Sequence, residues 1–189
     1  MATLTAIYDA CVLYPAPLRD LLIRLAITGL FRAKWTDAIH DEWTRNLLAN
    51  RPDLKPEQLN RTRALMNNHV QDSLVTGYES IIPVLKLPDP NDRHVLAAAI
   101  RSSSDVIVTF NLSDFPAAIL ASYSVEAQHP DEFLTHLLDL HPGTFCKTVR
   151  EQREDLVNPT QTAIELLETL ERQGLPLTTA RLREMVDLL

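Results

Sequence analysis

Glycine is scarce in this chain, with four in 189 residues. None of the four sits in a glycine-rich turn, so a dinucleotide- or phosphate-cradling loop of that kind is excluded. Cysteine is scarcer. Cys11 and Cys146 lie far apart, which leaves no zinc-ligand pair, no redox CxxC and no disulfide framework. No apolar run approaches the roughly 20 residues of a membrane span, and no basic segment followed by an apolar core stands at the amino end. The expectation is a cytoplasmic, reduced protein without membrane association. Positive charge is also short, at 18 Lys/Arg against 25 Asp/Glu. That balance argues against a generic nucleic-acid coat. It leaves room for a phosphate-bearing substrate if metal ions mask an acidic pocket. The basic surplus is confined to residues 1–63, nine Lys/Arg against seven Asp/Glu.

What is present is an apolar content of 46% and a length that suits one domain, or one domain with a small appendage. The chain is organised around Pro88–Pro116. Asp92 stands where a helix begins, and Val95 to Ile100 are apolar nearly all round, as in a helix buried against a sheet. Asp105-Val106-Ile107-Val108-Thr109 then has the β-branched character of a strand buried on both faces. Asn111 and Asp114 follow on a short loop. Earlier, Leu4–Tyr8 is a strand ended by Asp9, and Leu18–Phe31 a helix. Ala33–Trp35 is a second short strand. Thr36 or Asp37 caps a helix with Ile39, Trp43 and Leu47 on one face, and Pro56 opens the next helix. Ile81–Leu87 reads as an edge strand interrupted by Pro83, Ser122–Gln128 as a last strand, and Pro130–Leu140 as a helix. After His141, Pro142-Gly143 is a break, residues 147–157 are mostly charged, and two short amphipathic helices follow Asn158. The architecture expected is α/β over residues 1–140, with a helical extension over 141–189.

Four acids fall at element ends or beside them: Asp9 after the first strand, Glu42 inside a helix, Asp92 at a helix start, and Asp114 beyond the central strand. Loops at the carboxyl ends of parallel strands are where open α/β sheets put their sites, so Asp92, Asn111 and Asp114 are expected in one cleft. Clustered carboxylates repel unless protonated or bound to a cation, and hard divalent cations take oxygen ligands. Each residue also has a plain structural role: Asp92 and Asp114 as caps, Glu42 as a solvated helix charge, Asn111 as a turn residue. His94 is close to Asp92 and could touch substrate, though it reads first as a helix-surface histidine. Arg19, Arg24, Arg32, Lys34, Arg45, Arg51, Arg61 and Arg63 are either cleft-flanking phosphate contacts or solvated faces. Trp35 and Trp43 read as core. A phosphatase with an aspartyl nucleophile would want Asp where Cys11 stands, and a receiver domain would want adjacent acids near the first strand.

The order Ile7-Tyr8-Asp9-Ala10, Glu42-Trp43, Asp92-Arg93-His94-Val95-Leu96-Ala97-Ala98-Ala99 and Val108-Thr109-Phe110-Asn111-Leu112-Ser113-Asp114-Phe115-Pro116 resembles the PIN-domain nucleases, in particular their VapC-like toxin branch, over roughly residues 3–135. The resemblance implies a three-layer α/β/α fold with a central parallel sheet. It also implies a metal-dependent endoribonuclease using Mg²⁺ or Mn²⁺ on an RNA substrate, held inactive by a cognate antitoxin. Asp9, Glu42 and Asp92 match the family's metal-binding acids. Many members carry Asp two residues after the strand-ending Thr or Ser; this chain has Asn111 there, with Asp114 three residues on. The implied catalytic set is Asp9, Glu42, Asp92 and Asp114, and the implied metal set Asp9, Asp92, Asp114 and Asn111. The RNA contacts are unassigned, and a homodimer stays open. The alternatives are a catalytically weakened PIN-like protein that binds RNA or a partner, and a housekeeping RNA-processing nuclease.

Overall fold

Thr5 to Tyr8 form a strand buried along its whole length. In the computed structural model, which describes residues 3–189, this strand, β1 (Thr5–Tyr8), leads into the single-turn helix α1 (Ala10–Leu13) and then α2 (Ala16–Ile27). There follow β2 (Arg32–Lys34), α3 (Asp37–Asn50) and α4 (Pro56–His69). The central unit is α5 (Arg93–Arg101) and β3 (Val106–Val108), followed by α6 (Ala117–Leu120), β4 (Glu126–Gln128) and α7 (Pro130–Leu140). The chain closes with α8 (Pro142–Glu154), α9 (Ala163–Arg172) and α10 (Pro176–Arg183). The strands form one parallel sheet in the order β2-β1-β3-β4. Helices flank it to give a three-layer α/β/α architecture.

Register follows burial. Val106, Ile107 and Val108 are all buried and pair with Ala6, Ile7 and Tyr8, so a slip would break two continuous apolar rows at once. Asp105 locks the start of the pair: its carboxylate accepts from the Thr5 N–H at 2.8 Å, and its own N–H donates to the Thr5 carbonyl at 2.8 Å. The register also brings the far ends level, where the Asp9 N–H donates to the Val108 carbonyl at 3.1 Å. α5 buries Val95 through Ala99 without interruption, as its all-round apolar sequence requires.

α3 is capped by Thr36, whose hydroxyl accepts from the Ile39 N–H at 3.1 Å. Trp35 and Trp43 are fully buried, in the core as expected. They are joined by a polar chain. Trp43 Nε1 donates to His40 Nδ1 at 3.0 Å, His40 Nε2 meets Asn67 Oδ1 at 3.1 Å, and Trp35 Nε1 donates to the same oxygen at 2.7 Å. His40 is therefore the neutral tautomer protonated on Nε2. Burial lowers its pKa accordingly, and α3 is bolted to α4.

Three segments differ from the sequence expectation. Ile81–Leu87 is not a strand; Glu79–Val84 is a 3-10 helix, because Pro83 has no ladder donor and the segment lacks a buried face. Of residues 122–128 only Glu126–Gln128 are strand, since Ser124 takes a left-handed conformation, φ 56°, after a preceding turn. Pro142-Gly143 separates two helices but also begins α8, with Pro at a first-turn position where its missing N–H costs nothing. Within that charged helix, Phe145, Cys146, Thr148, Val149 and Gln152 are buried. This narrow stripe was hidden by the charges around it.

The last helices are packed, not splayed. α8 lies on α2, where Gln152 Nε2 donates to the Pro17 carbonyl at 2.9 Å and Arg24 pairs with Asp155 at 2.9 Å. Leu166, Leu167, Leu170, Leu175 and Leu182 are buried; each contributes about 2 kcal/mol relative to exposure. Asp131 on α7, itself buried, caps α10: its carboxylate accepts from the N–H groups of Leu177 and Thr178, both at 2.8 Å, and from the Thr178 hydroxyl at 2.7 Å.

Candidate active site

The carboxyl ends of β1 and β3 lie side by side, and the first acid stands there. Asp9 is 4% exposed and held on three sides. Its carboxylate accepts from the Ala10 N–H at 2.7 Å, the Thr109 hydroxyl at 2.7 Å and the Cys11 thiol at 3.1 Å. Burial raises its pKa; the hydrogen bonds from Thr109 and Cys11 pull the other way. The Thr109 hydroxyl in turn accepts from the Asn111 N–H at 3.0 Å, so one side chain ties Asp9 to the loop after β3.

Beyond that point a cleft of about 640 Å³ opens between α3, the turn before α5 and the loop after β3. Glu42, Asp92, Asn111 and Asp114 line it. Asp9 does not reach its wall. Its charge is nonetheless the strongest acidic influence on Asp92, ahead of Asp89, Asp114 and Glu42. Asp92 is half-buried, and desolvation together with those four acids pushes its carboxyl up to about 7. Its side chain makes no cap hydrogen bond to α5; that duty falls to Asp89, which caps the preceding turn by accepting from the Asn91 N–H at 2.8 Å. Asn111 and Asp114 bracket a single 3-10 turn, Leu112–Asp114, closed by the Asp114 N–H on the Asn111 carbonyl at 3.0 Å.

Two lining residues differ from the plainer sequence reading, His94 and Asp89. His94 is not a surface residue: its Nε2 lies 3.5 Å from Glu42 Oε2, and its Nδ1 is buried with no hydrogen-bond partner. Asp89 lines the cleft beside Asp92, and the Pro-Asp-Pro-Asn-Asp spelling, with two acids flanking one turn, was the available signal. Of the basic residues 19–63, Arg45 alone lines this cleft. Arg63 pairs with Asp37 and Asp41, and Arg51 with Asp53. Arg19 lies over the Trp43 ring at 4.6 Å, and Lys34 bonds the Asp72 carbonyl.

A larger cavity, about 990 Å³, opens at the β4 edge among Leu4, Leu112, Phe115 and Ala117. Of its two acids, Asp105 is already spent on Thr5, so size does not select the site and chemistry does. Among the described residues, no three His, Cys, Asp or Glu side chains stand close enough to grip one ion between them. Mg²⁺ asks for less: one or two carboxylates and its own waters. The donor set fits such a cation, because the oxygens are hard and several carboxylates, Glu42, Asp89, Asp92 and Asp114 among them, line one cleft.

A sequence profile described as PIN domain matches residues 5–113, and one described as VapC50 C-terminal domain matches residues 130–184. A curated protein of Mycobacterium tuberculosis, "Putative ribonuclease VapC50", is 35% identical over 118 residues, covering 62% of this chain and 69% of that protein. No solved structure matches.

Proposed function

The chain is a VapC-like member of the PIN-domain family, and from that premise we propose that it is a Mg²⁺- or Mn²⁺-dependent endoribonuclease acting as the toxin of a toxin–antitoxin pair. The observation that carries this reading is the meeting of acids from four separate segments at the carboxyl ends of β1 and β3: Asp9, Glu42, the pair Asp89 and Asp92, and Asp114. Asp92 and Asp114 would hold the ion from the cleft, with Asn111 as a neutral oxygen donor and Asp9 supplying charge from behind. When bound, the ion stabilises charge developing on the phosphodiester and lowers the pKa of a water. Glu42, whose Oε2 lies 3.5 Å from His94 Nε2, would accept a proton from an attacking water and share it with the imidazole. Arg45 offers a guanidinium to an RNA phosphate at the cleft rim. Thr109 and Cys11 fix the Asp9 carboxylate so that it need not reorganise during the reaction.

Purified protein incubated with total RNA should cut it with Mg²⁺ or Mn²⁺ and stop when a chelator is added. RNA left intact under every metal condition would remove the nuclease reading in favour of RNA or partner binding by a weakened site, which Asn111 in place of an acid supports.

The toxin role rests on the relative and on the match of the C-terminal helices. An arginine from an antitoxin could pair with the cleft acids. Its amphipathic helix has a groove of about 590 Å³ between α2 and α4, lined by Ile23, Ile27, Leu65 and Met66. The apolar stripe of α3, Ile39, Trp43 and Leu47, is buried in the core and leaves no such groove. Expression alone should arrest growth, and co-expression of a small adjacent gene's product should relieve it. Harmless expression of RNA-cutting protein would point to a housekeeping nuclease. No helix among the described residues is long and apolar enough to cross a membrane.

A further inference from the structure

The C-terminal helices touch the candidate site through one glycine. Gly174 lies in the turn between α9 and α10 with φ +88°. A Cβ built there would stand 3.1 Å from Phe110 Cε1 and 3.8 Å from Cζ, so the ring would have to give by a few tenths of an ångström. Phe110 sits in sequence between Thr109, which bonds Asp9, and Asn111, which lines the cleft. Its N–H donates to the Cys11 thiol at 3.3 Å. The ring is also met edge-on by His129, with centroids 5.1 Å apart. His129 caps α7, its Nδ1 accepting from the Asp131 N–H at 3.2 Å, and Asp131 in turn holds the start of α10. The ring is thus held between two supports, the start of α7 and the Gly174 turn, and Asp131 ties those supports together.

We infer that the C-terminal helices buttress the cleft, and that Gly174 is a positioning residue. By seating the Phe110 ring, it sets the Phe110–Asp114 segment that presents Asn111 and Asp114. This inference rests on the nuclease reading above for its consequence in RNA cleavage. The physical reason is that this segment is a short loop and one 3-10 turn. Nothing in it resists displacement as a helix would, so its geometry is borrowed from what packs against it. Glycine is required twice over at position 174, by the positive φ and by the approach of the ring.

The test separates those two requirements. Gly29, at the end of α2, has φ +77° but no atom within 4 Å of a built Cβ. Gly174→Ala and Gly29→Ala should both lose thermal stability to the shared positive φ, Gly174→Ala the more because the Phe110 ring must also give. Only Gly174→Ala should quicken hydrogen exchange over residues 110–115, and only it should lower kcat on a short RNA with Mn²⁺, on the order of tenfold, at unchanged KM. Phe110→Leu removes the atoms that the new methyl would meet. The double variant Phe110→Leu/Gly174→Ala should then match Phe110→Leu alone in loop exchange and in kcat, keeping only the stability cost of the positive φ, a coupling that a general loss of fold would not produce. The inference is overturned if Gly174→Ala matches Gly29→Ala in loop exchange and in kcat, or if its defect persists undiminished in the Phe110→Leu background. A wild-type protein that cuts no RNA would instead sink the nuclease reading, and the exchange comparison would still decide whether Gly174 seats the loop.

Discussion

The Thr109 hydroxyl donates to Asp9 Oδ2 across 2.7 Å, joining residues a hundred positions apart at the ends of two parallel strands. Thr109 Oγ1 in turn accepts the Asn111 N–H, so Thr109 is the hinge pin between a buried acid and the loop that faces the cleft. Thr109→Val keeps the shape and removes the hydroxyl. It should cost about 1–3 kcal/mol, because a buried carboxylate loses a donor, and it should weaken Mn²⁺ binding in a calorimetric titration. Unchanged stability and unchanged Mn²⁺ affinity would mean that Cys11 and Ala10 suffice to hold Asp9.

Asp9→Asn and Asp92→Asn should each abolish RNA cleavage and leave the fold intact, since charge changes more than volume. In the metal-free protein Asp92→Asn should raise the unfolding midpoint, because burial and neighbouring acids disfavour its charged form. A variant that cuts RNA at the wild-type rate would remove that residue from the mechanism.

Asp92 also predicts a pH dependence. Burial first, then Asp9, Asp89, Asp114 and Glu42, push its carboxyl up to about 7 in the folded state. The fold holds this proton more tightly than the unfolded chain does. The resulting stabilisation is greatest below the ordinary carboxylate range and is lost as pH rises through about 7. Metal-free protein should therefore melt progressively lower across that window. Saturating Mg²⁺ should remove the slope by replacing the proton, and Asp92→Asn should flatten it. A metal-free melting point that does not fall between weakly acidic and neutral pH would contradict this account.

Asp114 should matter more to the metal than Asn111, because a carboxylate holds Mg²⁺ better than an amide does. Asp114→Asn is expected to weaken metal affinity more than Asn111→Ala. The reverse ranking would make Asn111 the ligand and Asp114 a turn residue.

The C-terminal helices should not be removable. Ending the chain at His141 would strip α8 from α2 and take away the leucines that α9 and α10 bury; the fragment should aggregate or melt early. Asp131→Ala should reproduce part of this loss, about 2–3 kcal/mol, by leaving two backbone N–H groups and the Thr178 hydroxyl without their charged acceptor. A fragment 1–141 that stays soluble and unfolds like the full chain would show the tail to be independent.

Some of this was settled by local pattern. β1 and β3 are legible as unbroken apolar runs, and α5 as an apolar helix, because double-sided burial leaves no polar face to confuse the period. Thr36 and Pro56 were legible as helix starts for the same local reason. The three-layer fold followed from these elements and the resemblance together. Other features depended on contacts between distant residues, which a linear pattern cannot carry. The buried stripe of α8 is five residues in a charged helix, meaningful only once α2 lies against it. The half-buried place of His94 beside Glu42 needs α3 and α5 side by side. Asp89 looks like an ordinary turn acid until its charge is felt by Asp92. The withdrawal of Asp9 behind the cleft, held by Thr109 and Cys11, follows from parallel pairing that levels the ends of β1 and β3. The seat of Phe110 on Gly174 depends on the tail folding back. Spacing along the chain encodes which face a residue shares; only the packed fold decides which charges share a cleft.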